Sequence, residues 1–411
     1  MKKILFGLLV FSFSAKAQII KDIAESVHGN FQIDGQYYNQ DTAIGAPIVP
    51  QKVLSNAFGN INYNRGGFSA GMRFESYAPA VMQGFDPRNT GYGIQYKYAR
   101  YQNKYIDVTA GNFYDQFGSG MILRLYDEHG LLYDNSILGF RAIINPIRGI
   151  TIKGLIGKQR VFWVQSPGTV RGGDIDVSFN ELFDSISTKI ANMKTKITLG
   201  GSFVSKYQEN QSPTLNQPQN VGCYGGRLTV TRGGFNIYGE YAYKINDPSY
   251  INKYSFKDGQ GLYVTTSYAN NGFSVMLAGK YVDNMSFRSD RDQTLNAAMI
   301  NYMPALTRYH TYLMATFYPY ATQPNGEMAA QGEIQYKFKK GSKIGGKYGM
   351  EIALNGSIAT GLDSVNITPA NDTRQNHYYI KSFSPGQKYF HDINVEINKK
   401  FSKKVKGTFL C

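Results

Sequence analysis

Phe68-Ser69-Ala70-Gly71-Met72-Arg73-Phe74-Glu75 is the stretch on which the fold turns. Side chains alternate along a strand. Phe68, Ala70, Met72 and Phe74 therefore share one face, and Ser69, Gly71, Arg73 and Glu75 share the other. One face is oily and the other carries charge. The same alternation recurs outward along the chain. Phe235, Ile237 and Tyr241 oppose Asn236, Tyr238, Glu240 and Lys244. Phe273, Val275 and Leu277 oppose Ser274, Met276, Ala278 and Lys280. Met350, Ile352 and Leu354 oppose Glu351, Ala353 and Asn355. Ile393, Val395 and Ile397 oppose Asn394, Glu396 and Asn398.

The connections carry a second regularity. Asn64-Arg-Gly-Gly-Phe68, Thr231-Arg-Gly-Gly-Phe235 and Asn270-Asn-Gly-Phe273 form a weak repeat between strand patterns. Their Gly and Asn residues supply the positive φ that tight hairpins need. Short turns at these places, and near Gln102, Pro146, Pro304, Lys339 and Lys399, alternate with long connections. The latter are read at 39–51, 78–90, 114–135, 160–173, 206–220, 245–258, 282–294, 318–328 and 359–388. The 184–194 connection falls among the short turns but is longer. Turns on one side and loops on the other are the arrangement of outer-membrane barrels. A β-sandwich alternates without sorting its connections. The pattern predicts an all-β protein, a large antiparallel transmembrane β-barrel. Roughly nineteen strands can be marked, with 18–22 expected in a complete barrel. The last begins near Val405 and looks unfinished at Cys411, so truncation at the C-terminus is expected.

Met1-Lys2-Lys3, the apolar run Ile4 to Phe13 and Ala15-Lys16-Ala17 read as a cleaved signal peptide over 1–17. This leaves 18–411 as the barrel. After Gln18 no apolar run is long enough for a spanning helix. Mean hydropathy is −0.35, but a barrel hides its apolarity in alternate residues. Tyr is abundant (32 residues) and much of it falls near strand ends, where amphipathic rings settle at the headgroup level. Cys223 and Cys411 are read as unpaired. The net charge of +15 sits largely in turns such as Arg65, Arg148, Lys339 and Lys399. Water satisfies such residues, and anionic solutes or lipid headgroups are the other partners considered. Nucleic acid is not among them.

Several blocks resemble an uncharacterised, porin-like outer-membrane β-barrel family of the Bacteroidetes type, known as a domain of unknown function. They are Gly111-Asn-Phe-Tyr-Asp-Gln-Phe-Gly-Ser-Gly-Met-Ile-Leu-Arg124, Gly154-Leu-Ile-Gly-Lys-Gln-Arg160, Val170-Arg-Gly172, Ile300-Asn-Tyr-Met-Pro-Ala-Leu306 and Phe338-Lys-Lys-Gly-Ser-Lys-Ile-Gly-Gly-Lys-Tyr348. The resemblance implies outer-membrane placement in a Gram-negative cell and no substrate.

Enzymatic chemistry is not expected. His129 stands beside Asp127 and Glu128 with Ser119 nearby, but no Gly-x-Ser-x-Gly accompanies it. His28, His310, His377 and His391 have no better setting. No cofactor motif is present, and Asp41, Asp127 and Asp134 are too scattered to argue for Ca²⁺. The polar face is more informative. If the oily faces meet lipid, then Arg73, Glu75, Arg141, Lys153, Arg227, Glu240, Lys244 and Lys280 project into a lumen. Asp115, Arg124, Asp127 and Glu128 of the 114–135 connection would stand at its narrowing. The expected function is porin-like passage of small polar or anionic solutes. The alternative is a non-conducting barrel serving surface assembly, secretion or adhesion with a protein partner held by the long loops.

Overall fold

The computed structural model describes residues 26–46, 48–184, 187–310, 316, 319–367 and 376–411. The expected signal peptide lies outside them. The chain is almost entirely strand. In order these are β1 Val27–Tyr37, β2 Val53–Arg65, β3 Phe68–Ala78, β4 Gly91–Gln102, β5 Ile106–Phe113, β6 Gln116–Phe117, β7 Leu123–Arg124, β8 Asp127–Glu128, β9 Tyr133–Asp134, β10 Ile137–Ile144, β11 Ile150–Val161, β12 Val164–Ser178, β13 Thr195–Tyr207, β14 Asn220–Arg232, β15 Phe235–Lys244, β16 Gly259–Asn270, β17 Phe273–Asp283, β18 Gly326–Phe338, β19 Met350–Asn366, β20 Tyr378–Lys400 and β21 Lys406–Leu410. Seventeen belong to one antiparallel sheet, while β6 pairs with β7 and β8 with β9 as separate ribbons. Among the described residues no helix is long and apolar enough to cross a membrane.

The chain divides into two compact units. One comprises residues up to Tyr114, Tyr126–Ile144 and Arg160–Gln165; the other comprises Asp115–Leu125, Asn145–Gln159 and Ser166–Cys411. In the first, β1, β2, β3, β4, β5 and β10 pair in sequence as an up-and-down meander. In the second, β12 to β21 do the same.

The repeated turns are hairpins as expected. Arg65 pairs with Phe68 and Arg232 with Phe235, and Gly66 and Gly233 have φ of 58° and 56°. A glycine at the first of two central positions suits a type II′ turn. Asn270 pairs with Phe273, with Asn271 and Gly272 both at positive φ. At the β4–β5 turn the Asn103 carboxamide oxygen accepts from the backbone N–H of Tyr105 and Ile106.

Burial is inverted relative to a water-soluble sheet. Phe74 is 43% exposed and its neighbour Glu75 is 1% exposed. Leu277 is 55% exposed, while Lys280 on the opposite face of β17 is 4% exposed. On β3 and β17 the oily residues lie open and the charged ones are covered. Strands of ten to thirteen residues, such as β13 to β18, are long enough for the apolar layer, which a tilted strand crosses in about 9–11 residues.

Three expected connections differ. The 160–173 loop is a two-residue turn, Phe162-Trp163, between β11 and β12, with Phe162 at φ 54°. Pro167 and Gly168 read as loop signals, but Gly168 is glycine for another reason. A Cβ there would stand 2.0 Å from the Ser289 carbonyl oxygen. The 359–388 connection is mostly strand, since β19 runs to Asn366 and β20 starts at Tyr378. The strands expected around the Pro304 turn are absent among the described residues. The described residues of 284–325 carry no strand and serve as a connection instead, and part of the second expected strand, over 311–315, lies outside the described residues. Its Met285, Phe287 and Ile300 are fully buried, and Leu306 packs on Ala278, Ala329 and Ala359. Those two strands account for the difference between nineteen and seventeen. The 184–194 connection carries one short helix, Thr188–Ala191, and a second, Phe179–Leu182, precedes it.

Candidate functional site

In the first unit, alternation on β3 places Arg73 and Glu75 side by side on the covered face. The Arg73 Nε–H donates to Glu75 Oε1 at 2.8 Å, and its other two nitrogens pair with Asp127 and Asp134. The β8–β9 ribbon sets Asp127 opposite Asp134, so both carboxylates reach one guanidinium. Arg160 completes the cluster, donating to both Glu75 oxygens at 2.8 and 2.7 Å and to Asp134 at 2.9 Å. The Tyr77 hydroxyl also donates to Glu75, at 2.9 Å. Charges this deeply covered persist only when paired, and the arginine fork suits several carboxylates at once. Burial, the largest influence, holds the Asp127 carboxyl above the ordinary carboxylate range against the pull of Arg73. His129 is half exposed, 3.2 Å from Asp127 and packed on the Phe58 ring. Arg141 meets Asp107 at 3.3 Å, and Arg100 grips the same carboxylate with two bonds. Glu128 is exposed and accepts from the N–H of Gly130.

In the second unit, the β6–β7 hairpin carries four fully buried apolar residues, Phe117, Met121, Ile122 and Leu123. Glycines in the sheet make room for them. A Cβ on Gly172 would stand 2.9 Å from the Phe117 ring, one on Gly225 3.5 Å from Ile122, and one on Gly261 2.7 Å from the Met121 sulfur. The hairpin is tied to the 284–325 connection. Arg124 N–H donates to the Ile300 carbonyl at 2.9 Å and Tyr302 N–H to the Gly120 carbonyl at 3.1 Å. The Asn301 amide donates to the Met121 and Met285 carbonyls at 2.9 and 2.7 Å, and its oxygen accepts from the Phe287 N–H at 3.2 Å. The Arg124 guanidinium lies 4.9 Å from the Tyr302 ring centre.

Glu240, Lys153, Lys244 and Lys280 anchor the same two segments. Glu240 accepts from the Ser119 N–H at 2.8 Å and from the Tyr238 hydroxyl. Lys153 reaches Asp115 at 3.1 Å, and Lys244 donates to the Ser286 carbonyl at 2.7 Å. Lys280 pairs with Glu327 at 2.8 Å and donates to the Pro304 carbonyl at 3.0 Å. Arg227 is held by Asp174 at 2.8 Å and Asp176 at 2.7 Å. Between hairpin and sheet lies a cavity of about 590 Å³ whose lining includes Ser119, Arg227, Tyr238, Tyr263, Lys280 and Met303. Hydroxyls, two aromatic rings and matched charges suit a small polar molecule better than a free ion. Among the described residues no cluster of His, Cys, Asp and Glu could hold a metal, and both cysteines are free.

The residues that sequence reasoning missed are the countercharges. Arg160, Asp174 and Glu327 were hidden in stretches read as loop or left unassigned. Asp134 was considered only as a cation ligand. Alternation could have found Asp174, which continues the β12 pattern beyond Pro167.

The chain belongs to a family of unknown function, DUF6029, whose model matches residues 1–411. No curated protein matches it. Among solved structures it is similar to OccD3 (OpdP) of Pseudomonas aeruginosa, at 12% identity and TM-score 0.45, over 93% of this chain and 84% of that one. It is also similar to OpdL of the same organism, at 10% identity and TM-score 0.43, over 90% and 84%. A BenF-like porin from Pseudomonas fluorescens gives 10% identity and TM-score 0.33, over 94% and 97%.

Proposed function

We propose that this chain is an outer-membrane, porin-like β-barrel that passes small polar solutes, anionic ones included. The observation that carries the reading is the inverted burial: Phe74, Leu277 and Ile393 lie open while Glu75, Lys244 and Lys280 are covered. A sheet with this distribution is stable where hydrocarbon meets the apolar face and the polar face is enclosed. The β6–β7 hairpin and the 284–325 connection narrow the enclosed space, and the cavity lined by Arg227, Tyr238, Tyr263 and Lys280 is the route past them. A second reading, a non-conducting barrel that acts in surface assembly, secretion or adhesion with a protein partner, has one observation in its favour: the charges of the covered face pair with one another.

Single-channel recording of the purified protein separates the two. The pore reading expects conductance, with Lys280→Glu or Arg73→Glu shifting ion selectivity toward cations. Liposome swelling with solutes of graded size and charge then reports which solutes pass. No conductance at all rejects the pore and leaves the partner reading, whose own test is a co-purifying protein lost when a long loop is trimmed.

A further inference from the structure

We propose that the turns β18–β19 and β20–β21 form a binding site for the headgroup of an anionic phospholipid. Five lysines lie between Lys337 and Lys347 and five more between Lys399 and Lys406, with no acidic residue in either segment. All but Lys399 are exposed. The two turns are joined, because Lys399 Nζ donates to the carbonyls of Ile344 and Gly345 at 2.8 and 3.0 Å. Lys347 and Lys400 both lie 5.9 Å from the Tyr348 ring centre. The lysines therefore form one field rather than two solvated turns. A groove of about 570 Å³ runs through it, lined by Lys337, Lys339, Lys340, Tyr348, Lys400 and Lys406.

A basic groove alone would suit any anion. What selects a lipid is the apolar surface in the same segments. Ile344, Phe401, Val405 and Phe409 are 55–58% exposed. Phosphate chemistry beside exposed aliphatic and aromatic side chains matches an amphiphile, whose charged head meets lysines while its chains meet hydrocarbon. The turns continue strands whose oily faces are open, so the site falls where headgroups stand in the membrane reading. The inference rests on that reading.

The test uses the full chain with vesicles of phosphatidylcholine and vesicles containing phosphatidylglycerol. Flotation reports membrane integration, and native mass spectrometry of the extracted protein reports retained lipid. Wild-type protein should integrate into both vesicles and retain phosphatidylglycerol in preference to phosphatidylcholine. Each lysine near an anionic surface contributes roughly fivefold in affinity. Combined Lys339→Gln, Lys340→Gln, Lys400→Gln and Lys406→Gln substitutions should thus reduce the preference by about tenfold or more, with integration unchanged. Integration with equal retention of both lipids, or an unchanged preference in the variant, overturns the site and leaves the membrane reading standing. Displacement of the lipid by inorganic phosphate also overturns it, as a general anion site. Failure to float with either vesicle overturns both.

Discussion

Asn301 ties the β6–β7 hairpin to the 284–325 connection through the Met121 carbonyl. Its side chain is buried and makes three bonds to backbone groups: two donated, to Met121 and Met285 carbonyls, and one accepted, from Phe287 N–H. Asn301→Leu keeps the branched shape and removes all three. A buried backbone group left without a partner costs about 1–3 kcal/mol. Only the Met121 bond crosses to the hairpin, the other two bracing the connection itself, so docking should weaken by ~1–3 kcal/mol. At 1.4 kcal/mol per tenfold, the opening equilibrium of the hairpin rises by roughly five- to a hundredfold. Hydrogen exchange in detergent micelles reads this directly, at the amides of Arg124 and Tyr302, whose N–H groups bond between the hairpin and the 284–325 connection. Sheet amides in β14 to β17 should keep their protection, since their ladders do not involve Asn301. Asn301→Asp, which turns an unpaired buried carboxylate toward the same two carbonyls, should be at least as damaging as Asn301→Leu. Unchanged exchange at Arg124 and Tyr302 would refute the claim that this amide holds the hairpin down. Uniform loss of protection would instead show that the sheet itself depends on it.

Gly172→Ala should destabilise the second unit by about 1–3 kcal/mol, because the new methyl would stand 2.9 Å from the buried Phe117 ring. Combining it with Phe117→Leu should recover part of the loss, measured as the temperature at which the folded gel mobility of a detergent-solubilised sample disappears. Arg160→Met should cost about 3–5 kcal/mol, because Glu75 and Asp134 lose a buried partner. Trp163, the one tryptophan of the chain, is three residues away with its Nε1–H donating to the Asn89 carbonyl at 2.7 Å, so its emission should move to the red. Unaltered emission and stability would show that the cluster is not structural. Tyr263→Ala enlarges the cavity without touching an ion pair, and should raise conductance for the largest permeant solute while leaving ion selectivity as in wild type.

The sequence by itself determined the all-β class, the faces and most turns. These follow from local rules: period-two alternation assigned Arg73, Glu75, Glu240 and Lys280 to the face opposite the oily residues, and Gly or Asn at positive φ marked the hairpins at 66, 233 and 272. Where Pro167 stood inside a strand, or Pro304 inside a buried connection, the same local signals misled, because proline and glycine answer to close backbone approach as well as to turns. Only the tertiary structure decided what the polar face contacts. The match of Arg160 to Glu75 across 85 residues, the glycine sockets that receive Phe117 and Met121, and the bonds of Asn301 to a carbonyl 180 residues away depend on which strands and segments are neighbours. That is long-range information, and no window of sequence carries it.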